Sequence, residues 1–330
     1  MFGRVHLMIG LIVWSFSGRN AKPKFLFDIT LSISKIFYRL RGVRLQFDGS
    51  RFKSAAWVKS PKKTKAGHFS KQIDLVIVST SKDFDILIHS VKHAVKALSD
   101  YQVNFVKIIV PSRDVERCER LFSNSPSRIL VVNEEDLVPE DQFAKLTQYF
   151  GSRNTWVLQQ LLKVQAVLSS ESDAILILDS DTILLRRRPW FDKQGKQLLM
   201  PTYEYNRFYY EFLNKIKVSE VVPKYSLISH HMIMQPKVFW EIMSFLDIHE
   251  LSELIEISCK NAELTVQSPI CLEYELYGQY LLNYKPNSYF FGKWANLTIP
   301  KRYSRIILRS PVLQFLLRTN YHSISFHSWS

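Results

Sequence analysis

From residue 73 onward, short aliphatic runs alternate with stretches of helical spacing. "IDLVIVST" (73–80) is apolar without a break, the pattern of a strand buried on both faces. In "DFDILIHSVKHAVKAL" (83–98), Ile86, Ile88, Val91, Val95 and Leu98 follow a helical period instead. "NFVKIIVPS" (104–112) predicts a second strand, "RDVERCERLF" a helix, and "RILVVNEEDL" (128–137) a third strand that runs into an acidic loop. "NTWVLQQLLKVQAVLSS" (154–170) predicts a helix capped by Asn154 or Thr155, with Leu158, Leu161, Leu162 and Val167 on its apolar face. "AILILDSD" follows directly. Strand–helix alternation on this schedule means a parallel sheet covered by helices on both faces.

Beyond the acidic pair the alternation breaks. "KQLLMPT" (196–202) predicts a strand, "RFYYEFLNKI" (207–216) a helix, and "YSLISHHMIMQPKVFWEIMSFL" (225–246) a strand followed by a helix that starts near Pro236. "HELSELIEISCKN" and "EYELYGQYLLNY" read as helices, and "NSYFFGKWANLT" as a strand pair or an extended segment. "RIILRSPVLQFLL" is a helix broken at Pro311, and "HSISFHSWS" closes the chain.

Charge divides the chain in two. Residues 1–72 hold 15 Lys/Arg against 2 Asp/Glu, whereas the remainder holds 29 against 28, so nearly all of the +14 belongs to an N-terminal extension, residues 1–70. Its stretch "FLFDITLSISKIFYRL" interleaves apolar residues with Lys35 and Arg39, as in a helix lying on anionic lipid; a solvated helix packed on the body fits equally. The aromatic-plus-basic repeats of nucleic-acid modules are missing, so no nucleic-acid partner is expected. "VHLMIGLIVWSFS" is shorter than the ~20 residues of a membrane span. Its length suits a signal peptide, yet "WSFSGRN" is an indifferent cleavage site, which leaves a surface anchor or an over-extended start. Cys118, Cys259 and Cys271 form no CxxC and no even set, consistent with a reducing, cytoplasmic setting, peripheral on the inner face of a plasma membrane.

Candidate chemistry gathers at strand ends, where open α/β sheets collect ligands. Ser79–Thr80 and Asp179–Ser180–Asp181 occupy two such ends and are expected to line one crevice. Two aspartates one residue apart on a strand point the same way. Both stay ionised there only if a cation neutralises them. Oxygen ligands suit Mn²⁺ or Mg²⁺, which complete their coordination with phosphate oxygens and water, so a phosphate-bearing substrate is implied. The bland alternative is one aspartate capping a turn and the other solvated.

The segments "WVLQQLLKV", "LDSDTILLRRRPW", "SHHMIMQPKVFWEIM" and "EYELYGQYLL", in this order, resemble a largely uncharacterised bacterial group related to GT-A glycosyltransferases, whose DxD motif ends a strand of the "ILILDSD" kind. The resemblance covers about residues 70–330. It implies a GT-A-like, Rossmann-type mixed α/β sheet over residues 71–330, with a nucleotide-binding half (71–185) and an acceptor half (186–330). It further implies that Ser79, Thr80 and Asp83 contact the nucleoside, that Asp179 faces the ribose or donor sugar, and that Asp179 and Asp181 hold the metal. His327 is the expected late metal ligand, with His322 its competitor. Gln160 and Lys163 would border the donor, Lys163 offsetting diphosphate charge. On the acceptor side, an inverting transferase needs a carboxylate base. Glu273 or Glu275 is the candidate, and being i, i+2 on a helix only one of them can enter a crevice. His230 and His231 could bind acceptor or phosphate, with His231 placed among the catalytic set. Of Arg186, Arg187 and Arg188, one could reach phosphate; a surface turn before Pro189 is the alternative. Trp190, Trp240, Trp294 and Tyr277 could stack on sugars or pack the core.

The expected activity is transfer of a sugar from a nucleotide-sugar donor to a glycan or lipid-linked acceptor in cell-surface polysaccharide synthesis. Two rivals remain: a haloacid-dehalogenase-type phosphatase, which also uses Asp-x-Asp, and a membrane-surface binding protein without turnover.

Overall fold

A computed structural model describes residues 71–202, 204–263 and 269–327. The basic extension, with its expected lipid-facing helix, lies outside them. Alternation produces what the sequence predicts over the first half: β1 (Gln72–Val78), α1 (Phe84–Ala97), β2 (Gln102–Val110), α2 (Val115–Phe122), β3 (Ile129–Asn133), α3 (Glu140–Phe150), α4 (Asn154–Leu168) and β4 (Ala174–Leu178). The strands run in the order β3-β2-β1-β4-β7, where β7 is His231–Met234. The first four are mutually parallel and β7 is antiparallel to β4, so the sheet is mixed.

Alternate side chains of the strands build two cores. Ile73, Leu75 and Ile77 of β1 pack with α1 and α2. Val76 and Val78 face the other way, toward α4, α6 (Pro236–Phe245), α7 (Leu251–Asn261) and α8 (Tyr274–Tyr284). The unbroken apolar runs are thus explained by helices on both sides, each buried Val or Ile contributing about 1.5–3 kcal/mol. The fold is the mixed α/β sheet expected.

The second half adds β5 (Thr182–Leu184), β6 (Gln197–Leu199), α5 (Arg207–Lys215), β8 (Tyr289–Phe291), β9 (Asn296–Pro300), α9 (Ser304–Arg309), α10 (Pro311–Arg318) and β10 (Ser323–His327). β10 lies between β5 and β9 in a three-stranded sheet, and β6 pairs with β8. Two elements depart from the sequence reading. α3 follows the acidic loop, in a stretch to which the sequence reading assigns no element: Pro139, Glu140 and Asp141 make a regular helix start, and Leu146 and Phe150 are buried. β10 was not expected as a strand. It matters most for the site, because its Phe326 N–H donates to the Asp181 carbonyl (2.9 Å) and ties the chain end to the acidic turn.

Candidate active site

β4 ends at Leu178, and Asp179–Ser180–Asp181 form the turn into β5. The two carboxylates therefore leave a turn, not one face of a strand as the period-2 argument requires, and they diverge. Asp179 faces α4 and α8: its Oδ1 accepts from Lys163 Nζ (2.7 Å) and Tyr274 Oη (2.9 Å), and its Oδ2 from His230 Nδ1 (3.2 Å). Asp181 faces β10, with its Oδ2 3.3 Å from His327 Nδ1. The two arms stay adjacent, since the His230 and His327 rings lie 5.1 Å apart. Ser180 donates to Asp83 Oδ2 (3.2 Å), and Asp83 also meets Lys301 (2.6 Å). The end of β1 and the acidic turn thus meet, through Asp83.

The charges are balanced from within. Burial opposes ionisation of Asp179, but Lys163 and His230 outweigh it and hold its carboxyl far below the usual range. Burial likewise opposes the charge on Lys163, and Asp179 with Glu273 (3.1 Å) keeps it protonated. His230, buried against Asp179 and Glu204, is raised to about 10 by those two acids despite its burial. Its backbone sits at φ 62°, a left-handed conformation that costs a residue with a Cβ about 1–2 kcal/mol, while its carbonyl accepts from Asp179 N–H (3.0 Å). The strained turn holds the imidazole against the carboxylate.

Glu273 and Glu275 separate as their spacing requires. Glu273 gives one oxygen to Lys163, while its Oε2 is buried with no hydrogen-bond partner. Burial raises its pKa, only partly offset by Lys163. Glu275 is fully enclosed, accepting from Tyr210, Ser226, the Leu227 N–H and Gln279. Its hydrogen-bonding capacity is spent on holding α8 to the 226–227 segment, so it is a structural acid, not a base.

Other expected residues are displaced. His231 is buried with neither ring nitrogen bonded, edge-on to Trp190 (6.0 Å), and burial keeps it neutral; its neighbour His230 is the residue that reaches the site. Gln160 is also buried. It accepts from Leu272 N–H (2.7 Å) and so joins α4 to the start of α8 without facing the crevice. Ser79 is buried, with its N–H on the Ile109 carbonyl and its hydroxyl on the Thr80 carbonyl; Thr80 beside it is partly exposed. Trp190 and Tyr277 are core residues, and Trp240 bonds the Leu168 carbonyl on a helix surface. Trp294 is the aromatic at the site, its ring 6.4 Å from that of His230. Tyr274, Glu204 and Lys301 were not anticipated. Tyr274 alone carried a signal, standing between the two candidate glutamates.

The donor set fits a divalent ion in part. Asp181 and His327 supply an oxygen and a nitrogen, leaving further positions for water and phosphate. Asp179 is less available as a ligand in this arrangement, because Lys163, Tyr274 and His230 already engage its carboxylate and turn it toward α4 and α8. Among the described residues no group of three or more His, Cys, Asp or Glu side chains is placed to hold a metal.

The chain belongs to a family of unknown function, DUF6492, whose pattern matches residues 70–288. No curated protein matches it. Among solved structures it is similar to the galactosyltransferase LgtC in complex with donor and acceptor sugar analogues, at 14% identity and a TM-score of 0.44, over 77% of this chain and 86% of that one. An active-site mutant of LgtC matches equally. Mouse xyloside xylosyltransferase 1, in apo form, matches at 10% identity and a TM-score of 0.40, over 78% of this chain and 98% of that one.

Proposed function

We propose that this chain is a metal-dependent glycosyltransferase of the GT-A kind. It would move a sugar from a nucleotide-sugar donor to a glycan or lipid-linked acceptor in cell-surface polysaccharide synthesis, at the cytoplasmic face of a membrane. The observation that carries the reading is the turn at the end of β4, where Asp181 faces His327 beside a Lys163–Asp179–His230 array, at the strand ends where α/β sheets bind nucleotides.

Asp181 and His327 would hold Mn²⁺ or Mg²⁺, which when bound stabilises charge on a departing diphosphate. The protein does the rest. Asp83 and Thr80 border the place of the nucleoside. Lys163 fixes Asp179 as an anion facing the donor sugar. Trp294 offers a face for a sugar ring, and the unpartnered Oε2 of Glu273 can accept a hydrogen bond or proton from a sugar hydroxyl.

The test is a thermal-shift screen of nucleoside diphosphates and nucleotide sugars with and without Mn²⁺, repeated on Asp181→Ala. A diphosphate should raise the melting temperature only with Mn²⁺, and Asp181→Ala should abolish the rise. A shift that ignores Mn²⁺ or survives the substitution would sink the reading. Release of inorganic phosphate from phosphomonoesters in Mg²⁺ would favour the phosphatase instead.

A further inference from the structure

The three arginines after the acidic turn play no part in that site. β5 and β10 pair antiparallel, Thr182 with Ser325 and Leu184 with Ser323. At about 3.3 Å per residue, the end carrying Arg186 and His322 lies about 16 Å from the end carrying Asp181 and His327. There the Leu185 N–H donates to the His322 carbonyl (2.7 Å) and Arg188 Nη2 to the Lys293 carbonyl (3.2 Å). Arg187 turns outward to Asp100, but Arg186 and Arg188 form no ion pair among the described residues, and Arg188 is only 8% exposed. Arg186 Nε and His322 Nδ1 are buried without a hydrogen-bond partner. Burial and the Arg186 charge lower Arg188 to about 9. Cationic groups withdrawn from water without a counter-charge are costly, and an anion would relieve them.

α10 leads into this corner. Val312, Phe315 and Leu316, at i, i+3 and i+4, share one face and are 46%, 66% and 42% exposed; no residue of the helix is buried. Arg305, Arg309 and Arg318 are exposed along α9 and α10, and residues 301–318 contain no Asp or Glu. α10 ends at Arg318, four residues before His322; the Tyr321 N–H donates to the Leu317 carbonyl (2.9 Å) and the Leu185 N–H to the His322 carbonyl (2.7 Å), so the end of α10 runs into the arginine corner. An apolar face flanked only by arginine fits an anionic lipid surface. A second copy docking through this same face would bring the same positive charge, and residues 1–72, with 15 basic and 2 acidic residues, carry no charge complementary to it.

We propose that α10 rests on an anionic membrane, with Val312, Phe315 and Leu316 at the headgroup–acyl boundary and a lipid phosphate seated between Arg186 and Arg318. This makes the folded body itself a membrane-binding element, independent of the N-terminal extension and of the donor chemistry.

The experiment is co-sedimentation of the full chain with vesicles of phosphatidylcholine mixed with phosphatidylglycerol. The paired change Phe315→Ser with Leu316→Ser should weaken partitioning about tenfold, and Arg186→Gln about fivefold. On phosphatidylcholine alone, whose choline offsets the headgroup phosphate, the effect of Arg186→Gln should shrink to less than about twofold. The extension is present in every variant and cancels. These side chains face solvent or are partly exposed, so melting temperatures should hold. Inorganic phosphate at matched ionic strength should compete for the wild type but not for Arg186→Gln. Unchanged partitioning in both variants would overturn the proposal, as would a protein that takes inorganic phosphate at Arg186 while α10 makes no difference to vesicle binding.

Discussion

At one end of the β5–β10 ladder each aspartate has a nitrogen against it: Asp179 has Lys163 and His230, Asp83 has Lys301, and Asp181 has the His327 ring. At the other end Arg186, Arg188 and His322 gather with no acid paired to either arginine among the described residues. Asp179 and Asp83 therefore have ammonium partners before any ligand arrives, while Asp181, which meets only the His327 ring and the Thr182 hydroxyl (3.4 Å) among the described residues, is the acid left to share a metal ion with His327. The basic end must wait for negative charge from outside. The same short ladder presents two sites of opposite demand.

The comparison breaks most severely at Asp181. Asp181→Asn should lower Mn²⁺-dependent donor hydrolysis on the order of a hundredfold, the usual loss when one stabilising group is removed from developing charge. Its melting temperature should scarcely move, because the residue makes few structural contacts. Equal activity in variant and wild type would remove Asp181 from the site.

Lys163→Met tests whether neutrality is built in. It strands Asp179 and Glu273 as buried acids, and breaking such an array costs about 3–5 kcal/mol. At 2–4 °C per kcal/mol, a fall in melting temperature of at least about 6 °C should follow. An unshifted melting curve would mean that His230 alone balances Asp179.

Glu273 and Glu275 sharpen the distinction between working and structural acids. Glu273→Gln should abolish most turnover and lower stability less than Lys163→Met does, because Asp179 still pairs Lys163. Glu275→Gln should keep the activity of the folded fraction but cost about 1–2 kcal/mol, since the new amide meets the Gln279 amide where a carboxylate oxygen accepted. Urea denaturation beside the activity assay separates the two, and a reversal of roles would reverse the assignment.

Much of this was legible in the chain because it depends on local pattern. The apolar runs at 73–80 and 174–178 predict buried strands, and the place of Asp179–Asp181 at a strand end follows from alternation. α3 escaped because its apolar positions are sparse, while its start signal, Pro139 before two acids, lies inside an apparent loop. What the sequence hides is direction. Nothing in "SHHMI" says that His230 adopts a left-handed turn toward Asp179 while His231 enters the core. The pairing of Glu273 with Lys163, 110 residues away, is a tertiary fact. The i, i+2 rule does show that Glu273 and Glu275 part company; which one turns to the site is settled only by the packing of α8 on α4.

The smallest effect is expected at the basic end and depends on pH. Burial, then the charges of Arg188, Arg186 and Lys293, lower His322 to about 3 from an ordinary 6.5. Below about pH 6.5 the unfolded chain takes up a proton that the folded chain refuses, so this residue makes stability fall as pH drops toward 3 and contributes nothing above 6.5. At about pH 6 the loss is under about 1 kcal/mol. His322→Asn should flatten that limb when urea midpoints are compared in chloride from about pH 7 to about pH 5. Phosphate should flatten it in the wild type as well, because an anion beside Arg186 and Arg188 offsets the charge that suppresses His322. If phosphate changes the wild-type limb no more than it changes that of His322→Asn, the arginine corner does not bind anions and the contrast between the two ends loses its meaning.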